Sequence, residues 1–143
     1  MNIEAVNHLC KNTFVDALGI AFLDYRPGFL SARMPVDEKK LQPAGFLHGG
    51  ASLALAETVA SCGSLLMVDR DLFAVFGLQI VGHHLASTRE GDVVAHGELI
   101  HEGKSTHLWD VTVISQDGTK LCIARVTNSI VRKARTVPHS PAL

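Results

Sequence analysis

Residues Ala51 to Val68 form one apolar run, relieved only by small polar residues and a single carboxylate, Glu57. No proline interrupts it and its only glycine is Gly63. Such a run reads as a helix, approximately Gly49 to Val68, apolar on nearly every side. A helix of that kind needs cover over most of its circumference, which a curved sheet supplies. A charge under that cover is costly unless it is paired or has chemistry to do. Ser61 and Ser64 share the Glu57 face, so a narrow polar stripe runs down the helix. Two readings stand: a stripe open to solvent, or a carboxylate lining a cleft whose apolar walls raise its basicity. Gly63 costs about 1 kcal/mol relative to Ala in a helix, so it marks either a close neighbour or a tolerated weak point.

The flanking pattern supplies the sheet. Ile3, Val6, Leu9, Cys10, Phe14 and Val15 give residues 3–17 a weakly amphipathic helical spacing. Ile20 to Tyr25 and Phe29 to Val36 read as strands joined by the turn Arg26-Pro27-Gly28. Beyond the long helix the period changes to two, in Phe73 to Val81, Val93 to His101, Ser105 to Ser115 and Lys120 to Val131. The short Gly-containing turns at 102–104 and 116–119 make the last three strands antiparallel hairpins. The expected class is α+β, a long central helix wrapped by a curved antiparallel sheet. A single domain is expected over 1–135, with 136–143 a flexible tail. An open sheet edge would pair with a second subunit.

Composition removes several function classes. The net charge of −1 leaves no basic face for nucleic acid, and Arg132-Lys133-Ala134-Arg135 is a solvated run. Cys10, Cys62 and Cys122 share no CxxC spacing and read as reduced core thiols, as in a cytoplasmic protein. The N-terminus has no secretion signal, and Ser52, Glu57, Thr58, Ser61 and Ser64 make the apolar run a poor membrane span. His83 and His84 are adjacent and would face opposite sides of a strand, and His96, His101 and His107 lie on other strands, so no metal site is expected. GxSxG, GxGxxG and Walker patterns are all missing, and no cofactor is called for.

The chemistry concentrates at the loop Gln42-Pro43-Ala44-Gly45-Phe46-Leu47-His48-Gly49-Gly50. Two glycines at a helix start let a substrate approach the backbone. The free N–H groups there, aided by the helix dipole, favour a carbonyl oxygen that gains negative charge. Gln42 and His48 each offer a hydrogen bond to a carbonyl or a water.

These residues carry a resemblance. Gln42-Pro43, Gly45, Leu47 to Ser52 and Leu55-Ala56-Glu57-Thr58 resemble the hotdog-fold acyl-CoA thioesterases, above all the branch acting on 1,4-dihydroxy-2-naphthoyl-CoA and 4-hydroxybenzoyl-CoA, with the phenylacetate-pathway thioesterases as neighbours. Gly77-Leu78-Gln79-Ile80, His84, Arg89-Glu90-Gly91, Gly103-Lys104-Ser105 and Trp109 match in kind, and the likeness spans about Phe14 to Val131. It implies a hotdog fold in homodimers joined edge to edge, paired again as homotetramers, with sites shared between subunits. It implies Glu57 as nucleophile or general base, Gly50 N–H polarising the thioester carbonyl with His48 in support, Gln42 orienting water or carbonyl, and Ser61 near the acyl group or the water. His84, Arg89, Lys104 and Ser105 are the implied coenzyme A contacts; Ala86 stands where relatives often carry a further basic residue.

The expected function is hydrolysis of an acyl-CoA thioester to the free acid and CoA. Phe73, Phe76 and the helix offer flat walls for an aromatic acyl group, and would also suit a medium-chain fatty acyl group on CoA or acyl-carrier protein. A hotdog hydratase or dehydratase, and a non-catalytic acyl-CoA binding protein, are the readings from other classes.

Overall fold

The computed structural model describes residues 2–134. The chain runs through two short helices, α1 (Ile3–Leu9) and α2 (Phe14–Ala17), then β1 (Ala21–Arg26) and β2 (Phe29–Pro35). A single 3-10 turn, Glu38–Lys40, leads to the long helix α3 (Gly49–Met67). Four strands follow: β3 (Phe73–His84), β4 (Asp92–Glu102), β5 (Thr106–Ser115) and β6 (Lys120–Arg132). They form one antiparallel sheet in the order β1-β2-β4-β5-β6-β3.

This is the hotdog fold: α3 lies along the concave face of the sheet and touches β2 through β6. Its tightest face, Ser52, Leu55, Ala56, Val59, Ala60, Gly63 and Ser64, is buried. No residue from Ala51 to Val68 is fully exposed. α3 is long and apolar enough by length and composition to cross a membrane. Here it is the core helix, and its apolar side chains join Trp109, Leu30, Met34 and Val111 in one cluster.

Glycines mark where helix and sheet come closest. A Cβ on Gly63 would stand 2.5 Å from Trp109 Cη2, and one on Gly97 would stand 2.7 Å from Val59 Cγ1. Close packing therefore explains Gly63, rather than a tolerated weak point. The inner face of β3 follows the same rule: a Cβ on Gly82 would meet Leu53 Cδ2 at 2.3 Å.

Three expectations change. The single helix expected over 3–17 is two helices, because Asn12 adopts φ +59 and breaks the run. Asn tolerates that left-handed conformation better than most residues. β3 runs on through Gly82, His83 and His84, three residues past the expected end, and carries a bulge between Gly77 and Gln79. The segment 136–143, expected to be a tail, lies outside the described residues.

Candidate active site

The loop before α3 is built to present a helix start. Gly45 turns at φ +81, the Leu41 and Leu47 backbones pair, and His48 N–H donates to Lys40 O at 2.8 Å. Leu47 N–H donates to Thr88 O at 2.8 Å, which hitches the loop to the segment after β3. His48 is the N-cap of α3, and its Nδ1 accepts from Gly50 N–H at 2.9 Å. The donor assigned from sequence to a substrate carbonyl is therefore occupied by the side chain assigned to support it. The Gly49 N–H, one residue earlier, has no acceptor among the described residues. It is the first amide of the helix, where no intrahelical partner exists.

Gln42 folds back on its own loop, with Oε1 accepting from Ala44 N–H. With Leu47, Gly49, Ser52, His84, Ala86, Ser87 and Leu121 it lines a cleft of about 220 Å³. His84, one of the residues expected at coenzyme A, lies against the helix start: a Cβ on Gly49 would be 2.8 Å from His84 Nε2. Arg89 is nearby, its guanidinium stacked 3.9 Å over the Phe46 ring. Lys104 and Ser105 are exposed on the β4–β5 turn, beside the end of β6 that pairs with the start of β3. The four residues expected at coenzyme A thus fall at the two opposite ends of β3.

Glu57 points across α3 toward β3. Its Oε1 sits where a side chain on Gly77 would be, 2.3 Å from an ideal Cβ. The carboxylate is half-buried and has neither ion pair nor hydrogen bond among the described residues. Ser61 does not face open solvent either, since its hydroxyl donates to Asn128 Oδ1 at 3.1 Å. Glu57 lies eight positions along α3 from Gly49, a rise of about 12 Å along the helix axis at 1.5 Å per residue. In one protomer the free helix-start amide and the carboxylate-bearing residue are thus about two turns of α3 apart.

Both halves open toward the same sheet edge. β3 is one of the two edge strands, opposite β1, and exposes Phe76, Leu78 and Val81. An apolar cleft of about 430 Å³ adjoins the Glu57 half, lined by Leu9, Leu65, Phe73, Ala74, Val75 and Phe76 with Arg70, Asp71 and Lys133 at its rim. A cavity of similar size, about 440 Å³, lies on the opposite face of the sheet around the Arg125–Asp110 ion pair. It contains none of the loop or helix residues, so size alone does not locate the chemistry.

Sequence reasoning missed Gly77, whose lack of a side chain makes room for the carboxylate, and Asn128. The signal for Asn128 was present: an Asn inside a Val/Ile/Thr-rich strand is out of character. It also missed that the Cys10 and Cys62 thiols meet. Their hydrogen bond draws Cys10 down to about 7 and pushes Cys62 up, and burial pushes Cys122 up.

The Thioesterase superfamily profile matches residues 44–122, which contain the loop from Ala44 onward, α3 and β3 to β5. A solved mutant thioesterase from Pseudomonas aeruginosa superposes with a TM-score of 0.90 at 41% identity, covering 93% of this chain and 96% of that one. A thioesterase structure from Haemophilus influenzae gives 0.88 at 34% identity, covering 98% and 96%. A 1,4-dihydroxy-2-naphthoyl-CoA hydrolase of Listeria monocytogenes is 39% identical over 120 residues, 84% of this chain and 97% of that protein.

Proposed function

The chain belongs to the thioesterase superfamily, and from that premise we propose that it hydrolyses an aromatic acyl-CoA in a site completed by a second copy of itself. The observation that carries this is the split just described. A carboxylate and a helix-start amide, neither with a hydrogen-bond partner among the described residues, belong to residues about 12 Å apart along the α3 axis in one protomer, both beside an apolar strand edge.

Two β3 edges paired about a two-fold axis run antiparallel. With the axis near Ile80 and Val81, Gly77 of one copy stands beside the partner's His84. Glu57 then faces the partner's Gly49. The same operation brings Arg89 and His84 of one copy toward the partner's Lys104 and Ser105, which gathers the dispersed phosphate-binding candidates around one coenzyme A. Two such dimers make the homotetramer. The reduced thiols fit a cytoplasmic protein.

In that site the thioester oxygen sits at the partner's Gly49 N–H, where the amide and the α3 dipole stabilise the negative charge as it develops. Glu57 takes a proton from water as the water oxygen bonds to the carbonyl carbon. The C–S bond breaks, and the thiolate leaves with the proton returned from Glu57. Direct attack by the carboxylate, giving an anhydride that water then cleaves, uses the same residues. The cleft lined by Leu65, Phe73 and Phe76 receives the acyl group. Aromatic rings fit its flat walls, and the Listeria relative is named for such a substrate. A medium-chain acyl group is the second reading, favoured by the aliphatic Leu9 and Leu65 on the same walls.

Release of free thiol from aroyl-, phenylacetyl- and fatty acyl-CoA tests the proposal. Turnover is expected to be fastest on an aroyl-CoA and to be lost in Glu57→Gln. Full turnover by Glu57→Gln, or the highest kcat/KM on a fatty chain, contradicts the mechanism or the substrate respectively. Cys10 reacts with a thiol reagent as a stoichiometric burst, separable from turnover by its amplitude.

A further inference from the structure

Behind Glu57 a closed polar network crosses an otherwise apolar core. Ser64, Asn128 and Trp109 are fully buried and His107 is nearly so. Trp109 Nε1–H donates to Ser64 Oγ at 2.9 Å, and Asn128 Nδ2–H donates to it at 3.0 Å. A hydroxyl has two acceptor positions and one proton. Both positions are filled, so the Ser64 proton goes to His107 Nδ1, 3.1 Å away. Burial lowers the His107 pKa and so favours the neutral ring, which in this arrangement carries its proton on Nε2. In the orientation the structure gives it, the Asn128 amide turns Nδ2 to Ser64 and Oδ1 to Ser61, whose hydroxyl donates to Oδ1 at 3.1 Å. Among the described residues, no buried side-chain nitrogen or oxygen is left without a partner. Asn128 also stands opposite Gly77 in the β3–β6 ladder, next to the bulge, and Gly77 is the residue whose missing side chain leaves room for the carboxylate.

We propose that Asn128 is a positioning residue that fixes the direction of the Ser61 hydroxyl, so that Ser61 can only accept, and not donate, at the reacting water. The inference rests on the reading of Glu57 as base. A water between Glu57 and Ser61, one helical turn apart, then gives one proton to Glu57 and shares the other with Ser61 Oγ. Both of its protons are occupied, and the lone pair left over is the one free to bond the thioester carbon. Without Asn128 the Ser61 proton is free to point at the water or at Glu57, and the water loses its orientation. The network therefore favours direct attack by water over attack by the carboxylate.

The test is a double-mutant cycle on kcat. Asn128→Leu is expected to lower kcat by about tenfold or more with KM nearly unchanged, as for an interaction made only in the transition state. Ser61→Ala lowers kcat similarly. In the Ser61→Ala background, Asn128→Leu is expected to change kcat by less than about twofold while still lowering Tm. A merely structural Asn128 would lower kcat by the same factor in both backgrounds. That result, or an unchanged kcat in Asn128→Leu alone, overturns the proposal. If Asn128→Leu does not fold, Asn128→Ser, polar but too short to reach Ser61, carries the same cycle. Turnover retained by Glu57→Gln would remove the base itself; an additive cycle with Glu57→Gln inactive removes only the role of Asn128.

Discussion

The Glu57 carboxylate occupies the place that a side chain on Gly77 would take. Oε1 is 2.3 Å from an ideal Cβ there, although the residues are far apart in sequence and on different elements. The bulge just after Gly77 and the missing side chain together let a charged group lie half-buried against the edge strand without an ion-pair partner.

Gly77→Ala therefore pushes the carboxylate aside. Gly77 has no positive φ and is exposed, so the strand accepts Ala with little change in stability. A displacement of about 1 Å at a reacting group costs on the order of 10²-fold in rate. The expected outcome is a kcat loss of that order with Tm nearly unchanged, read from thiol release beside a thermal melt. Wild-type kcat in Gly77→Ala would show that the carboxylate position does not matter.

Gly49→Pro removes the one amide hydrogen proposed to hold the substrate oxygen. Proline suits the first helical position, where the N–H lacks an intrahelical partner. His48 is already at φ −64 and ψ 131, the extended conformation required before proline. Turnover is expected to fall by about 10²–10³-fold, the usual cost of losing one such donor. Gly49→Ala, which meets His84 in the same way but keeps the N–H, is the control and should lose much less. Gly50→Ala sets a Cβ 3.0 Å from the His48 Nδ1 that accepts the Gly50 N–H, so it strains the cap but keeps the Gly49 N–H, and should lose much less activity than Gly49→Pro.

The long helix and all six strands were legible because their periods are local properties of the chain. The helix needed cover, and period-two segments supplied it. The break at Asn12 was less legible, since one residue with positive φ leaves the apolar spacing of 3–17 intact. In the site, Glu57 and the Gly49-Gly50 start stood out, but which amide was free did not. That depends on the His48 ring turning back to cap its own helix. Gly77 and Asn128 meet α3 only through the fold of β3 and β6; Asn128 stands out in its strand, but nothing near either residue in sequence says that they pair beside Glu57.

Gly63→Ala tests the packing of helix on sheet. Alanine gains about 1 kcal/mol of helix propensity. Its Cβ would stand 2.5 Å from Trp109, whose ring is buried and tied by Nε1–H to Ser64. Overpacking of this kind costs about 1–3 kcal/mol, and the tethered ring has little room to move. Clash is expected to win, with Tm lowered by several degrees; a raised Tm would mean the indole yields.

Burial lowers the His107 pKa, with Glu102 raising it and His101 lowering it less strongly. The unfolded chain then takes up a proton at higher pH than the folded one. The stability tied to this group is complete above about pH 6.5, the unfolded value, and is lost as pH falls from there toward the depressed folded value. His107→Gln is expected to flatten that part of the stability–pH curve measured by denaturant unfolding. An unchanged slope would place the acid sensitivity elsewhere.

The central claim is that each site joins Glu57 of one copy to the helix start of another. Glu57→Gln and Gly49→Pro chains, each inactive alone, are denatured together and refolded. In mixed dimers one site carries both lesions and the other carries neither. Random pairing should therefore restore about a quarter of wild-type turnover per dimer. Recovery near that level is the predicted result. A mixture as inactive as its parents, although mixed dimers are demonstrably present, would mean that both groups act within one protomer and would contradict the account.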